Sequence, residues 1–184
     1  MFIELVRNRR SIRQYRNKSL EPEKIDLILE AAVRAPSSRG INPWEFIVVQ
    51  DRTLIQKLAQ AKKRGSGFAA GAQLVVVVCV DTEKRDVWIE DASIASTMIL
   101  LAAQSLGLGA CWIQIRKRQH DESVSAEAYV RDTLALPERI SVLAFVAIGY
   151  AEESKPPHPG SELGYSQVHS NRYGSPWRKT PEGA

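Results

Sequence analysis

The chain has 184 residues, with 25 Lys and Arg against 21 Asp and Glu for a net charge of +4. That length suits one domain with one sizeable core, and the near balance of charge excludes the composition of a general nucleic-acid binder. No apolar run approaches the ~20 residues of a membrane span, and the opening MFIELVRNRR is too short and too charged for a secretory signal, so the expected location is cytoplasmic, with no membrane partner.

A short helix is expected first. Directly after it comes RNRRSIRQYRNK, residues 7–18, with six cations in twelve residues and no acid. Ile25, Ile28, Leu29, Ala32 and Val33 then recur at helical spacing, with Pro22 suiting the first turn and Pro36 the stop. APSSRGINPW is rich in turn formers and reads as a loop. EFIVVQD predicts a short strand and RTLIQKLAQAKKR a helix ending in cations, which suit the negative end of the helix dipole. QLVVVVCVD predicts a strand buried on both faces.

Residues 86–106 predict a long helix that is apolar nearly all round, as expected of a helix in a core or at a subunit interface. GLGACWIQI predicts a turn and a strand, with Gly107 as helix cap and Gly109 allowing a flat ligand to approach. ESVSAEAYVRDTLAL predicts a helix stopped by Pro137, and ISVLAFVAIGYA a last buried strand. The final 34 residues hold five Pro and four Gly without periodicity. Their Tyr165, Tyr173 and Trp177 argue for docking on another surface rather than disorder. The pattern predicts an α+β fold in which helices sandwich the sheet, as one domain over 1–184 with an irregular extension over about 151–184.

A phosphate is the natural partner of the basic segment. Arginine forks match its oxygens bidentately and a serine hydroxyl adds a hydrogen bond, and in an extended chain Arg9, Ser11 and Arg13 project to one side. The same segment also suits a solvated basic stretch. No stacking platform for nucleic acid accompanies it. GLGACW has too few glycines and precedes a strand, so it is not a dinucleotide fingerprint. His120, His158 and His169 are scattered, neither a nucleophile elbow nor a zinc-binding helix motif occurs, and no metal-ligand cluster is visible. Cys79 reads as small core filler. A chain without an acid–base triad can still catalyse if a cofactor does the chemistry.

Four segments in order, RRSIRQY, APSSRGINPWEF, EDASIASTMILLAAQSLGLGACWI and VHSNRY, resemble the FMN-dependent nitroreductase family, and the resemblance covers nearly the whole chain. It implies a central mixed or antiparallel sheet flanked by helices, and a homodimer with FMN sites at the interface and the C-terminal extension docked on the partner subunit. Carried over by position, Arg9, Arg10, Ser11 and Arg13 would hold the phosphate and ribityl chain, with help from Arg172. Pro36, Ser37, Ser38 and Asn42 would reach the flavin from the partner subunit, and Ile113 and Gln114 would line the ring.

The implied activity is reduction of nitroaromatics or quinones by NADH or NADPH through the flavin in ping-pong fashion. Arg116, Lys117 and Arg118 follow the lining strand as either flavin-edge cations or a solvated loop. Trp44, Phe68 and Trp112 suit either a substrate slot or core packing. Gly40 and Gln114 depart from the family's common residues, which bears on substrate range. The alternatives are a dehalogenating or flavin-fragmenting branch, or a non-enzymatic binder of flavin or nucleic acid.

Overall fold

The computed structural model describes residues 1–84 and 86–177. The last seven residues of the extension expected from the sequence therefore lie outside the described residues. The elements in chain order are α1 (Phe2–Asn8), α2 (Pro22–Val33), β1 (Trp44–Val49), α3 (Arg52–Ala59), β2 (Leu74–Asp81), α4 (Trp88–Ser105), β3 (Gly109–Gln114), α5 (Ala126–Leu134) and β4 (Ile140–Gly149), with short 3-10 turns between and after them. Local chemistry sets their ends. Asp51 Oδ1 accepts from Leu54 N at 2.8 Å to start α3, and Ser125 Oγ accepts from Ala128 N at 3.0 Å to start α5. Gly107, at φ 73°, follows the last turn of α4 in the left-handed conformation.

The helix expected to run on through Arg64 ends at Ala59. The Ser66 hydroxyl explains the early stop, since it donates to Ala59 O at 2.8 Å and accepts from Lys62 N at 3.2 Å, folding 60–66 back as a loop.

The four strands form one antiparallel sheet in the order β1-β2-β4-β3. Alternation along β2 splits the core. Val75, Val77 and Cys79 face one side with Ile55, Leu58, Val130 and Phe145, while Leu74, Val76, Val78 and Val80 face the other with Ile28, Ala92, Ile99 and Val146. The sheet is thus covered by α3 and α5 on one face and by α2 and α4 on the other, the expected sandwich. Cys79 is fully buried and its thiol is pushed up to about 12, chiefly by burial, as suits core filler.

A single irregularity in the β2–β4 pairing shapes the end of β3. Val78 pairs with Ala144 and Cys79 with Val142, leaving Leu143 as the extra residue of a bulge. The Leu143 carbonyl then accepts from both Ile115 N (3.1 Å) and Arg116 N (3.0 Å), which ends β3 and fixes where the next turn starts.

Candidate functional site

β3 is an edge strand, and the basic N-terminal segment lies along it. Ser11 bridges Ala110 in parallel, and Ile12 N donates to Ala110 O at 3.0 Å. Gly109 is what lets the segment come this close. A Cβ there would stand 2.7 Å from Ile12 Cγ2 and 2.9 Å from Ile12 Cβ, so the close approach expected of a flat ligand at Gly109 is made instead by the protein's own chain. Tyr15 completes the seam. Its hydroxyl lies 2.6 Å from Ile12 O and 3.1 Å from Ala147 O, and burial drives its ionisation far above the ordinary range.

The start of the C-terminal extension straps this segment from the other side. Tyr15 bridges Ala151, Glu152 N donates to Gln14 O at 2.9 Å, and Lys155 Nζ donates to Ser11 O at 2.8 Å. Glu153 Oε1 accepts from the amides of Arg13 and Gln14 and pairs with Lys155 at 3.0 Å. The Arg13 amide, followed by Lys155, holds the Glu153 carboxyl below the usual carboxylate range. With a lowered native value, this contribution to stability is present above the unfolded-state value and is lost as pH falls through the native one. The melting-temperature gap between the parent and Glu153→Gln is therefore expected to be open near about pH 7 and to close below about pH 4. A gap independent of pH would remove the carboxylate from this role.

Arg9, Ser11, Arg13 and Lys155 all act on one point. Burial pushes the Cys111 thiol up, while Arg13, the Ser11 hydroxyl, Lys155 and Arg9 pull the other way. Arg13 also sits 5.6 Å over the half-buried Phe68 ring. Neither Arg9 nor Arg13 has an acidic side chain within ion-pair distance among the described residues. The donor set is therefore two uncompensated guanidinium groups with a hydroxyl and an ammonium, which fits a phosphate.

Arg10 faces elsewhere, its Nη1 donating to Pro156 O to anchor the extension. Arg172 is exposed, and its amide donates to Ser170 O at 2.7 Å within the extension, so it does not join this cluster in its own chain. Ile113 buries its side chain in the core. Because Ile12 N reaches Ala110 O, the peptide groups of the alternate residues Trp112 and Gln114 face the same open edge. The Gln114 side chain is committed locally: Nε2 donates to Arg116 O at 2.9 Å and Oε1 accepts from Arg118 Nη2 at 2.8 Å.

The second set of expected residues lies elsewhere. The loop carrying Pro36, Ser37, Ser38 and Asn42 precedes β1, at the opposite edge from β3. Three strand spacings, roughly 14 Å, separate the two edges. Arg39, Gly40 and Asn42 all have positive φ. The loop is pinned by Asn42 N donating to Ser37 Oγ at 3.0 Å and by Ser38 N donating to Asp91 Oδ1 at 2.8 Å. Asp91 is buried, and its Oδ2 has no hydrogen-bond partner among the described residues. Trp44 is buried against Ala35 and Ala95 and packs beside Phe46, so it is core here. Trp112 is partly exposed.

Lys155, Glu153 and Lys62 were not singled out from the sequence as site residues. The first two carry no local pattern; the pairing of the extension with residues 14 and 15 brings Lys155 to Ser11 and Glu153 to Arg13.

The nitroreductase family model matches residues 6–84 and 60–150. A solved FMN-dependent nitroreductase from Clostridium difficile R20291 is 46% identical with a TM-score of 0.91, the match covering 93% of this chain and 99% of that one. A protein of Archaeoglobus fulgidus, provisionally named an NADH dehydrogenase/NAD(P)H nitroreductase, is 37% identical over 157 residues, 83% of this chain and 87% of its own. A structure from Desulfovibrio desulfuricans, described provisionally as a nitroreductase and solved in complex with FMN, is 30% identical with a TM-score of 0.73 over 88% of this chain and 93% of that one. With the sheet order, the basic seam along β3 and these matches in agreement, this chain belongs to the nitroreductase family.

Proposed function

We propose that the protein is an FMN-dependent oxidoreductase that takes reducing equivalents from NADH or NADPH and passes them to electron-poor acceptors such as nitroaromatics or quinones. The observation that carries this is the pair of guanidinium groups of Arg9 and Arg13, without an acidic side-chain partner among the described residues, together with Ser11 and Lys155 beside the open edge of β3, in a chain whose relatives are named for FMN and NAD(P)H. Arg9 and Arg13 would grip the phosphate, Ser11 and Lys155 would complete it, and the peptide edge at Trp112 and Gln114 would meet the ring. When bound, FMN supplies the two-electron carrier, and the protein supplies position and field. No feature of this site favours a dehalogenating branch or a non-enzymatic binder.

A homodimer follows from the same reading. Ser37, Ser38 and Asn42 stand at the sheet edge away from the basic seam, so a second copy is what would bring them to it. Phe2, Ile3, Val6, Leu27 and Ile94 on α1, α2 and α4 are exposed apolar residues, as are Leu163 and Tyr165 of the extension, and such a surface is expected to be covered. Arg172 would then reach a partner's phosphate rather than its own. A cytoplasmic location completes the proposal.

Purified protein is expected to show a flavin absorption spectrum that bleaches under anaerobic addition of NADH or NADPH, and to sediment as a dimer. Protein that is colourless and takes up no FMN would overturn the reading. A flavin that neither nucleotide bleaches would leave a binder rather than a reductase, and a monomer on sedimentation would remove the shared site.

A further inference from the structure

Two basic triplets far apart in sequence, Lys62-Lys63-Arg64 and Arg116-Lys117-Arg118, are brought together by the fold. Lys63 N donates to Gln119 O at 3.2 Å and His120 Nδ1 lies 2.9 Å from Gln60 O, which ties the two loops side by side. Arg118 N donates to Ile115 O at 3.1 Å across a turn in which Lys117 adopts φ 56°. That turn is set by the Leu143 bulge. Lys62 is half-buried, and burial together with the field of Arg118 lowers its basicity, while Cys111 acts in the opposite sense. The cluster thus reaches from the solvent to the β3 residue around which the phosphate-gripping cations gather.

Its charge is almost uncompensated. Among the described residues Lys62, Arg64, Arg116, Lys117 and Arg118 have no acidic partner within ion-pair distance, and Lys63 has only the exposed Glu122 at 4.0 Å. Arg116 lies 5.6 Å over the Trp88 ring and Arg118 is oriented by Gln114. The two loops, tied by Lys63 N to Gln119 O, carry six cations beside the open strand edge and make a second anion site. Its cations come from two loops that contribute none to the seam at Ser11.

We propose that this second site reads the 2′-phosphate of NADPH and makes the protein prefer NADPH to NADH. The proposal rests on the flavin-reductase reading above. The two nucleotides differ only in that phosphate, a group of charge about −1.5 to −2 near neutral pH, so a cationic rim discriminates between them where a neutral one would not. Exposed ion pairs contribute a factor of about 1.5 to 5 each. Three or four of them give a preference on the order of tenfold or more at low salt, and screening shrinks it as ionic strength rises.

The test is kcat/KM for NADPH and for NADH with the FMN-loaded protein at low and high salt, repeated on Arg64→Glu/Lys117→Glu. The expected result is an NADPH preference on the order of tenfold that falls with salt and is abolished in the variant. Equal use of the two nucleotides at low salt, or a preference that survives the charge reversal, would overturn it. Binding of 2′,5′-ADP against 5′-AMP is measured in parallel on the same protein. If the protein takes up no FMN, the redox reading fails, and stronger 2′,5′-ADP binding that the variant loses would still establish the phosphate site. Equal binding of the two probes would sink it.

Discussion

The Arg9→Ala/Arg13→Ala variant is expected to bind FMN on the order of a hundredfold or more weaker than the parent, while its FMN-free form melts no lower. A hydrogen bond to a charged group contributes about 1.5–3 kcal/mol, and each 1.4 kcal/mol is about tenfold in affinity, so two guanidinium groups on one phosphate account for the loss. Stability goes the other way. Arg9 and Arg13 share their neighbourhood with Lys155, and Glu153 is the acid in contact with the segment. Removing two like charges relieves repulsion in the empty site. Arg13 does rest on Phe68 and its Nη1 lies 3.5 Å from Ser11 O, a weak contact. Equilibrium titration with FMN and melting of the stripped protein separate the two effects. A variant that melts lower and binds FMN normally would make these arginines structural and leave the phosphate without its grip.

Gly109→Val is expected to cost stability and flavin together. The new Cβ would fall within 3 Å of two atoms of Ile12, a buried β-branched residue that cannot rotate away. Overpacking of this kind costs about 1–3 kcal/mol, occasionally more, which for a chain of this size lowers the melting temperature by roughly 2–10 °C. The alternative to strain is displacement of residues 11–12 from the β3 edge, and that moves Ser11 and Arg13 off the site. Gly160→Ala is the matching control, since a Cβ at Gly160 meets nothing within 4 Å. A Gly109→Val protein with parental melting and parental FMN affinity would show that the seam is not what positions the basic segment.

Much of the fold was legible because its signals are local. The period of Ile25, Ile28 and Ala32 and the run of valines in β2 each name an element from a few adjacent residues. The overrun of α3 has an equally plain cause: the cations at 62–64 suit a helix end, but Ser66, reaching back to Ala59 O, stops it earlier. Gly109 was legible as a point of close approach, but what approaches is Ile12, a residue 97 positions away.

The sequence by itself determined the class of elements, the apolar layers and the four ordered segments that resemble a flavoenzyme family, because periodicity and motif spacing are carried by neighbouring residues. Only the tertiary structure decided which charges share a site. The sheet order β1-β2-β4-β3 sends the Ser37–Asn42 loop to one edge and the basic seam to the other. The Tyr15–Ala151 bridge brings Glu153 to Arg13 and Lys155 to Ser11, and the Leu143 bulge aims the turn that sets Arg118 beside Lys62. Electrostatic fields act through space, so the chemistry of this surface depends on distances that strand pairing sets and sequence separation conceals.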